Sequence, residues 1–185
     1  MRTYSEADIR DVALIGHGGS GKTSLAEAIL FDTKAVTRLG RVDDETSNLD
    51  TEPEEKKRKG TINPHIAAVE WQKSKINFVD TSGHGNFLID TQIAMDVVDA
   101  ALILVSAPDG VQVVTERAWE MVEGRKLARA IVIGKLDRER ASFQTALDDI
   151  LPVIDGSAGK LKGERLAQCR GNRGGKGKPI RGGGR

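Results

Sequence analysis

Gly16-His17-Gly18-Gly19-Ser20-Gly21-Lys22-Thr23 spells G-x-x-x-x-G-K-T and follows an apolar run, Val12-Ala13-Leu14-Ile15. The order predicts a strand, a glycine-rich turn, and then a helix carrying Leu25, Ala26, Ile29 and Leu30. Such a turn captures anions. Glycines let successive backbone N–H groups curl around phosphate oxygens, and the positive end of the following helix points at the same charge. His17, Gly18, Gly19, Ser20 and Gly21 would form the cradle, and Lys22 would add a cation for the β- and γ-phosphates. The Thr23 hydroxyl would be a hard oxygen ligand for Mg²⁺. A chance glycine turn is the plain alternative; the strand before it and the helix after it favour a nucleoside triphosphate.

Outward from this turn, the elements alternate. Residues 32–63 form a long polar segment, and a connection of that length is either functional or mobile. Two apolar runs, 66–71 and 76–79, flank Gln72-Lys73-Ser74-Lys75 and predict a hairpin whose second strand ends at Asp80. Ile89, Ile93 and Val97 recur every four residues and predict a helix with one buried stripe. Residues 101–105 read as a strand covered on both faces. Val111, Val114, Ala118, Met121 and Val122 make another helical stripe, and 130–133 another buried strand. Phe143, Leu147, Ile150 and Leu151 give a last helical face over about 140–151, with a returning strand expected over 152–155. The fold class is therefore α/β: a mostly parallel sheet with helices on both faces. Ligands of such sheets bind at the carboxyl ends of the strands.

Composition sets limits. The 185 residues suit one globular domain. The most apolar stretch, 97–107, contains Asp99 and falls short of the ~20 residues that cross a bilayer, so no membrane partner is expected. No secretory pattern stands at the N-terminus, and the lone Cys169 fits a reducing cytoplasm. A cytoplasmic monomer is the expectation. Residues 170–185 hold six Lys/Arg, seven Gly and no acid, so they predict a disordered basic tail. With the whole chain at +1, the rest carries −5. The tail reads either as an RNA-backbone contact or as a solvated stretch foreign to the body.

Three further positions fall at strand ends. Asp80-Thr81-Ser82-Gly83-His84 begins where the second hairpin strand stops. Asp80 there could hold Mg²⁺ through a water, the Gly83 N–H could reach the γ-phosphate, and His84 could orient an attacking water. Thr61, at the end of the polar segment, could complete the metal shell and sense the γ-phosphate. Lys135-Leu136-Asp137 follows the strand 130–133, where a carboxylate can accept the N1–H and 2-amino hydrogens that guanine has and adenine lacks. Plain alternatives exist for each: a turn or N-cap aspartate, a loop histidine, a loop threonine, a helix start.

Together these signatures resemble those of a translational GTPase, and most closely the elongation factor G family with its elongation-factor-G-like branch. Gly40-Arg41-Val42-Asp43-Asp44 and Pro53-Glu54-Glu55-Lys56-Lys57-Arg58 are similar to that branch's first switch region, and Lys135 to Ala141 to its guanine-binding segment. The resemblance covers about residues 8–151. It implies a P-loop NTPase G domain over 1–151 that binds GTP or GDP with Mg²⁺ and works on the ribosome, its RNA included. On that reading Lys22 and the loop amides bind phosphates, Thr23 and Thr61 hold Mg²⁺, Asp80 supports it through water, and His84 positions water once the ribosomal RNA presses it into place. Catalysis would be positioning plus electrostatic stabilisation of a loose phosphoryl transition state.

Departures from the family pattern qualify this. Gly134 stands where the motif has Asn before Lys-x-Asp, which predicts weaker and less selective guanine binding. Gly19 replaces a common Asp, and Gly60 directly precedes Thr61. Residues 152–169 are expected to hold a last strand and turn. Gly156-Ser157-Ala158 is similar to the family's final guanine-contacting turn, and equally to a common loop string. Beyond it the resemblance stops, as truncation or an altered reading frame would produce. A non-catalytic nucleotide-binding fragment is therefore the rival to a GTPase.

Overall fold

A computed structural model describes residues 3–156 and the two-residue strand 167–168. The elements run β1 (Ile9–Ile15), α1 (Lys22–Asp32), α2 (Pro53–Arg58), β2 (His65–Trp71), β3 (Ser74–Asp80), α3 (Leu88–Met95), β4 (Ala100–Ser106), α4 (Val113–Gly124), β5 (Ala128–Gly134), α5 (Phe143–Gly156) and β6 (Ala167–Gln168). The six strands form one sheet in the order β2-β3-β1-β4-β5-β6. Among the described residues only β2 and β3 pair antiparallel as strands; the β1/β3, β1/β4, β4/β5 and β5/β6 pairs are parallel. The mostly parallel α/β sheet read from the sequence is present.

Alternation along the central strands divides the apolar side chains between two faces. On one, Ala13, Ile15, Ile103, Val105, Ile131 and Ile133 pack with α3, α4 and α5. On the other, Leu14, Phe78, Leu104 and Val132 meet Ala26 and Leu30 of α1. Each fully buried aliphatic side chain contributes about 1.5–3 kcal/mol relative to exposure. Because these strands are parallel, β1, β3, β4 and β5 all end at the same edge. Register pairs Leu14 with Asp80 and Ser106 with Gly134, so the chemistry-bearing ends lie side by side.

Four local expectations need correction. Ile89, Ile93 and Val97 are exposed by 61–70%; Thr91, Ala94 and Met95 face inward instead. The Thr91 hydroxyl lies 3.5 Å from Ser82 O. The turn between β2 and β3 is two residues, Gln72 at φ +55° and Lys73, because Ser74 and Lys75 already belong to the ladder. The strand expected over 152–155 is helix: α5 starts at Phe143 rather than near 140 and runs through Pro152 to Gly156. Ala146, Ile150 and Ile154 recur every four residues and are buried, and that stripe carries the helix past the proline. Leu151, expected on the buried face, is exposed for the same reason of phase. The strand described after α5 is β6 at 167–168, paired with Val132 and Ile133. Ser157, Ala158, Cys169 and the basic tail over 170–185 lie outside the described residues.

The polar segment read over 32–63 forms the connection 33–64 between α1 and β2, and it is ordered. Its helix α2 begins with Pro53 in the first turn, carries Glu54 and Glu55 there, and ends on Lys56, Lys57 and Arg58. Acid at the start and base at the end complement the helix dipole, and proline suits the first helical position.

Candidate functional site

The glycine-rich turn, the end of β3 and the segment before β2 meet at the carboxyl edge around a cleft of about 180 Å³. Gly18, Gly19, Gly21, Lys22 and Thr23 line it from the turn, facing Thr61, Gly83 and His84 from two other segments. Lys135 joins from the end of β5. Residues more than a hundred positions apart in sequence thus share one opening.

Lys22 is almost fully buried, and its Nζ donates to Gly16 O and His17 O, both at 3.0 Å. Burial pushes its ammonium down to about 8, opposed by the charge of Asp80. Asp80, the last residue of β3, is fully buried. Neither of its oxygens has a hydrogen-bond partner of ordinary geometry. Burial pushes its carboxyl up to about 6, with the nearby Thr23 hydroxyl and Lys22 pulling the other way. The hydroxyls of Thr23 and Thr61 are 2.9 Å apart, and Thr61 Oγ1 donates to Asp50 Oδ1 at 2.8 Å. Two converging hydroxyls above a buried carboxylate that lacks donors form the all-oxygen set a hard divalent cation takes. The residues present fit Mg²⁺.

The 81–84 turn is pressed onto the glycine-rich loop. Thr81 is tied to Leu14 O through both its N–H (3.3 Å) and its hydroxyl (2.8 Å). A Cβ on Gly83 would lie 2.4 Å from Gly18 N and 2.5 Å from Lys22 Nζ, so only glycine fits there. The exposed His84 ring sits between two glycines: a Cβ on Gly18 would be 3.4 Å from its Cε1, and one on Gly60 3.6 Å from its Nε2. Phe87 meets it edge to face, with centroids 6.5 Å apart.

Not every expected residue reaches the cleft. His17 is buried under the turn, its Nδ1 2.8 Å from Gly18 O, and burial lowers its pKa. Ser20 closes the turn through its N–H to His17 O. Leu136 packs against the core, whereas Asp137 is exposed on the following turn. Gly134 ends β5; its carbonyl accepts Ala107 N–H at 2.9 Å, and a Cβ there would meet Ser20 O at an ordinary 3.7 Å.

Other participants escaped the sequence reading. Arg138, Lys59, Val42 and Asp43 also line the cleft. Asp50, Glu27 and Glu55 are buried carboxylates, yet a carboxylate in a charged run or on a helix reads as solvated. For Glu55 the signal was there: Glu52-Pro53-Glu54-Glu55 has the spacing of a capping box, and Glu52 N–H does reach Glu55 Oε2 at 3.4 Å. Glu55 Oε1 accepts Ile62 N–H (2.9 Å) and Asn63 N–H (3.0 Å), and His65 Nε2 lies 2.9 Å from both oxygens.

Comparison with known proteins decides the lineage. Residues 7–167 match the elongation factor Tu GTP binding domain family. The chain belongs to that family. It is 33% identical over 155 residues to elongation factor G of Granulibacter bethesdensis, covering 84% of this chain and 22% of that protein. It is also 33% identical over 142 residues to the tetracycline resistance protein TetM of Ureaplasma urealyticum, covering 77% of this chain and 22% of TetM. A Thermus thermophilus protein of known structure superposes with a TM-score of 0.76 at 40% identity, over 80% of this chain and 22% of the other. A bacterial selenocysteine-specific elongation factor shares the fold alone, with a TM-score of 0.67 at 16% identity. The chain thus spans about a fifth of the length of these relatives. Among the described residues no helix is long and apolar enough to cross a membrane.

Proposed function

We propose that this domain binds Mg²⁺·GTP across the carboxyl edge and hydrolyses it, as the G domain of a ribosome-acting translation factor in the cytoplasm. The observation that carries this reading is the meeting of Thr23 and Thr61 in one cleft with a His84 ring seated between Gly18 and Gly60, next to the buried Asp80 at the end of β3. Lys22 and the loop amides from Gly18 to Thr23 hold the phosphates, with Gly83 closing on the terminal one. Thr23, Thr61 and Asp80 would hold the metal, which when bound would supply neutralisation of phosphate charge. His84 orients the attacking water. Lys135 lies along the base, and Asp137 reads guanine by turning in from its exposed position.

Turnover tests it. GTP hydrolysis measured with and without ribosomes should rise with ribosomes, and His84→Ala should lower the stimulated rate by roughly 10²–10⁴-fold, the range of a positioned proton-handling group. Equal rates for wild type and His84→Ala contradict the assignment. Gly134 favours a second reading, a nucleotide-binding domain without turnover, which would show GTP and GDP binding and no stimulated rate.

A further inference from the structure

Glu27 sits on α1, one turn beyond the glycine-rich loop, and is fully buried. No cation neutralises it within salt-bridge distance among the described residues; its partners are neutral donors from residues 47–49. Oε1 accepts the Ser47 hydroxyl (2.7 Å), the Asn48 N–H and the Leu49 N–H (3.1 Å), while Oε2 accepts Asn48 Nδ2 at 2.6 Å. A buried carboxylate with four donors is held far more firmly than a loop contact at the surface. The bonds continue toward the cleft. Ser47 Oγ accepts the N–H of Asp50 at 3.1 Å, Asp50 Oδ1 accepts the Thr61 hydroxyl, and Thr61 meets Thr23. One unbroken path therefore joins Glu27 to the two threonines.

Gly40 supplies an independent sign that the fit is tight. A Cβ there would fall 2.4 Å from Glu27 Oε2, 2.6 Å from its Cδ and 2.9 Å from Asn48 Nδ2. A free glutamate would swing aside, but this one is fixed by its donors. Any larger residue at 40 must displace the carboxylate or the loop.

We propose that Glu27 is a positioning residue for phosphoryl transfer: its buried carboxylate fastens residues 47–50 to α1 and so sets Thr61 over the metal position. It touches neither phosphate nor metal. Its effect falls on the triphosphate state, which needs Thr61, and not on the diphosphate state, which needs only the glycine-rich turn and Thr23. The inference rests on the GTP reading above, and its test separates the two.

The experiment compares Glu27→Ala, Glu27→Gln and Gly40→Ala in the full chain, with circular dichroism confirming the fold. Trypsin cleavage at the exposed Arg38 and Arg41, measured without nucleotide, reads the loop directly. Titrations with Mg²⁺·GTP and Mg²⁺·GDP read the site. Glu27→Ala and Gly40→Ala should speed cleavage at least tenfold and lower the GTP-to-GDP affinity ratio at least fivefold, with GDP affinity within twofold of wild type. Glu27→Gln keeps one acceptor oxygen and should fall between. Faster cleavage with an unchanged ratio makes Glu27 merely structural and overturns the proposal, as does unchanged cleavage in both. Should wild type bind neither nucleotide, the GTP reading fails whatever the cleavage rates show.

Discussion

The central strands and the segment 33–64 are both ordered, but by opposite means. In β1, β4 and β5, aliphatic side chains stack on both faces and the order follows from apolar burial. That burial is non-directional and indifferent to pH. In 33–64 the apolar contribution is small, and Leu49 is its one hydrophobic residue in the buried core. Order there comes from carboxylates placed under backbone donors: Glu27 beneath 47–49, and Glu55 beneath 62 and 63. Such contacts are directional and all-or-none, because a carboxylate that moves strands several donors at once. A domain whose sheet is held by oil and whose crossover is held by charge can reshape the second without loosening the first. Switching loops require that separation.

Breaking the core should break both regions. Ile103→Ala, at a fully enclosed position in β4, should cost about 4 kcal/mol and lower the melting temperature of the whole domain. Breaking the crossover should leave the sheet alone. Glu55→Ala should cost about 2 kcal/mol from stranded Ile62 and Asn63 donors, seen as faster hydrogen exchange at those amides with β1 and β4 protection retained. Uniform loss of protection would contradict the division. Restoring the base-side contact sharpens the comparison from the sheet side. Gly134→Asn has room beside Ser20 O and should raise guanine nucleotide affinity about tenfold, or about 1.4 kcal/mol, by calorimetry.

Acid should separate the regions most gently. Burial pushes the Glu55 carboxyl up, but the Ile62 and Asn63 amides and His65 outweigh it and hold the group below its usual 4.5. A depressed folded value means that Glu55 stabilises fully above about 4.5 and loses that contribution as pH falls through the folded value. NMR signals of Ile62 and Asn63 should therefore change below pH ~4.5 while those of 13–15 hold.

Much of this was legible in the chain because the relevant periods are strong. Strand 101–105 and the turn 16–23 announce themselves through a continuous apolar run and a glycine spacing that few other structures need. The helix at 88–95 misleads because its inward residues are Thr91, Ala94 and Met95, of which two are small or polar, while its isoleucines face out. Residues 152–155 mislead because the helical face reads through Phe143, Leu147, Ile150 and Leu151, whereas the buried stripe is Ala146–Ile150–Ile154, which carries the helix on past Pro152. Glu27 was illegible for a deeper reason: its donors include backbone groups about twenty residues away, and backbone groups leave no trace in a sequence. Asp80 and Thr61 were placed by motif; that Asp50 links Thr61 to the loop behind it needed coordinates.

Calorimetric titration of Mg²⁺·GTP into the wild-type chain and Lys22→Ala tests most directly whether the glycine-rich turn grips a triphosphate. Wild type should bind and Lys22→Ala should bind at least tenfold more weakly, since Lys22 points its buried ammonium into the loop. Equal affinity in the two proteins would contradict it.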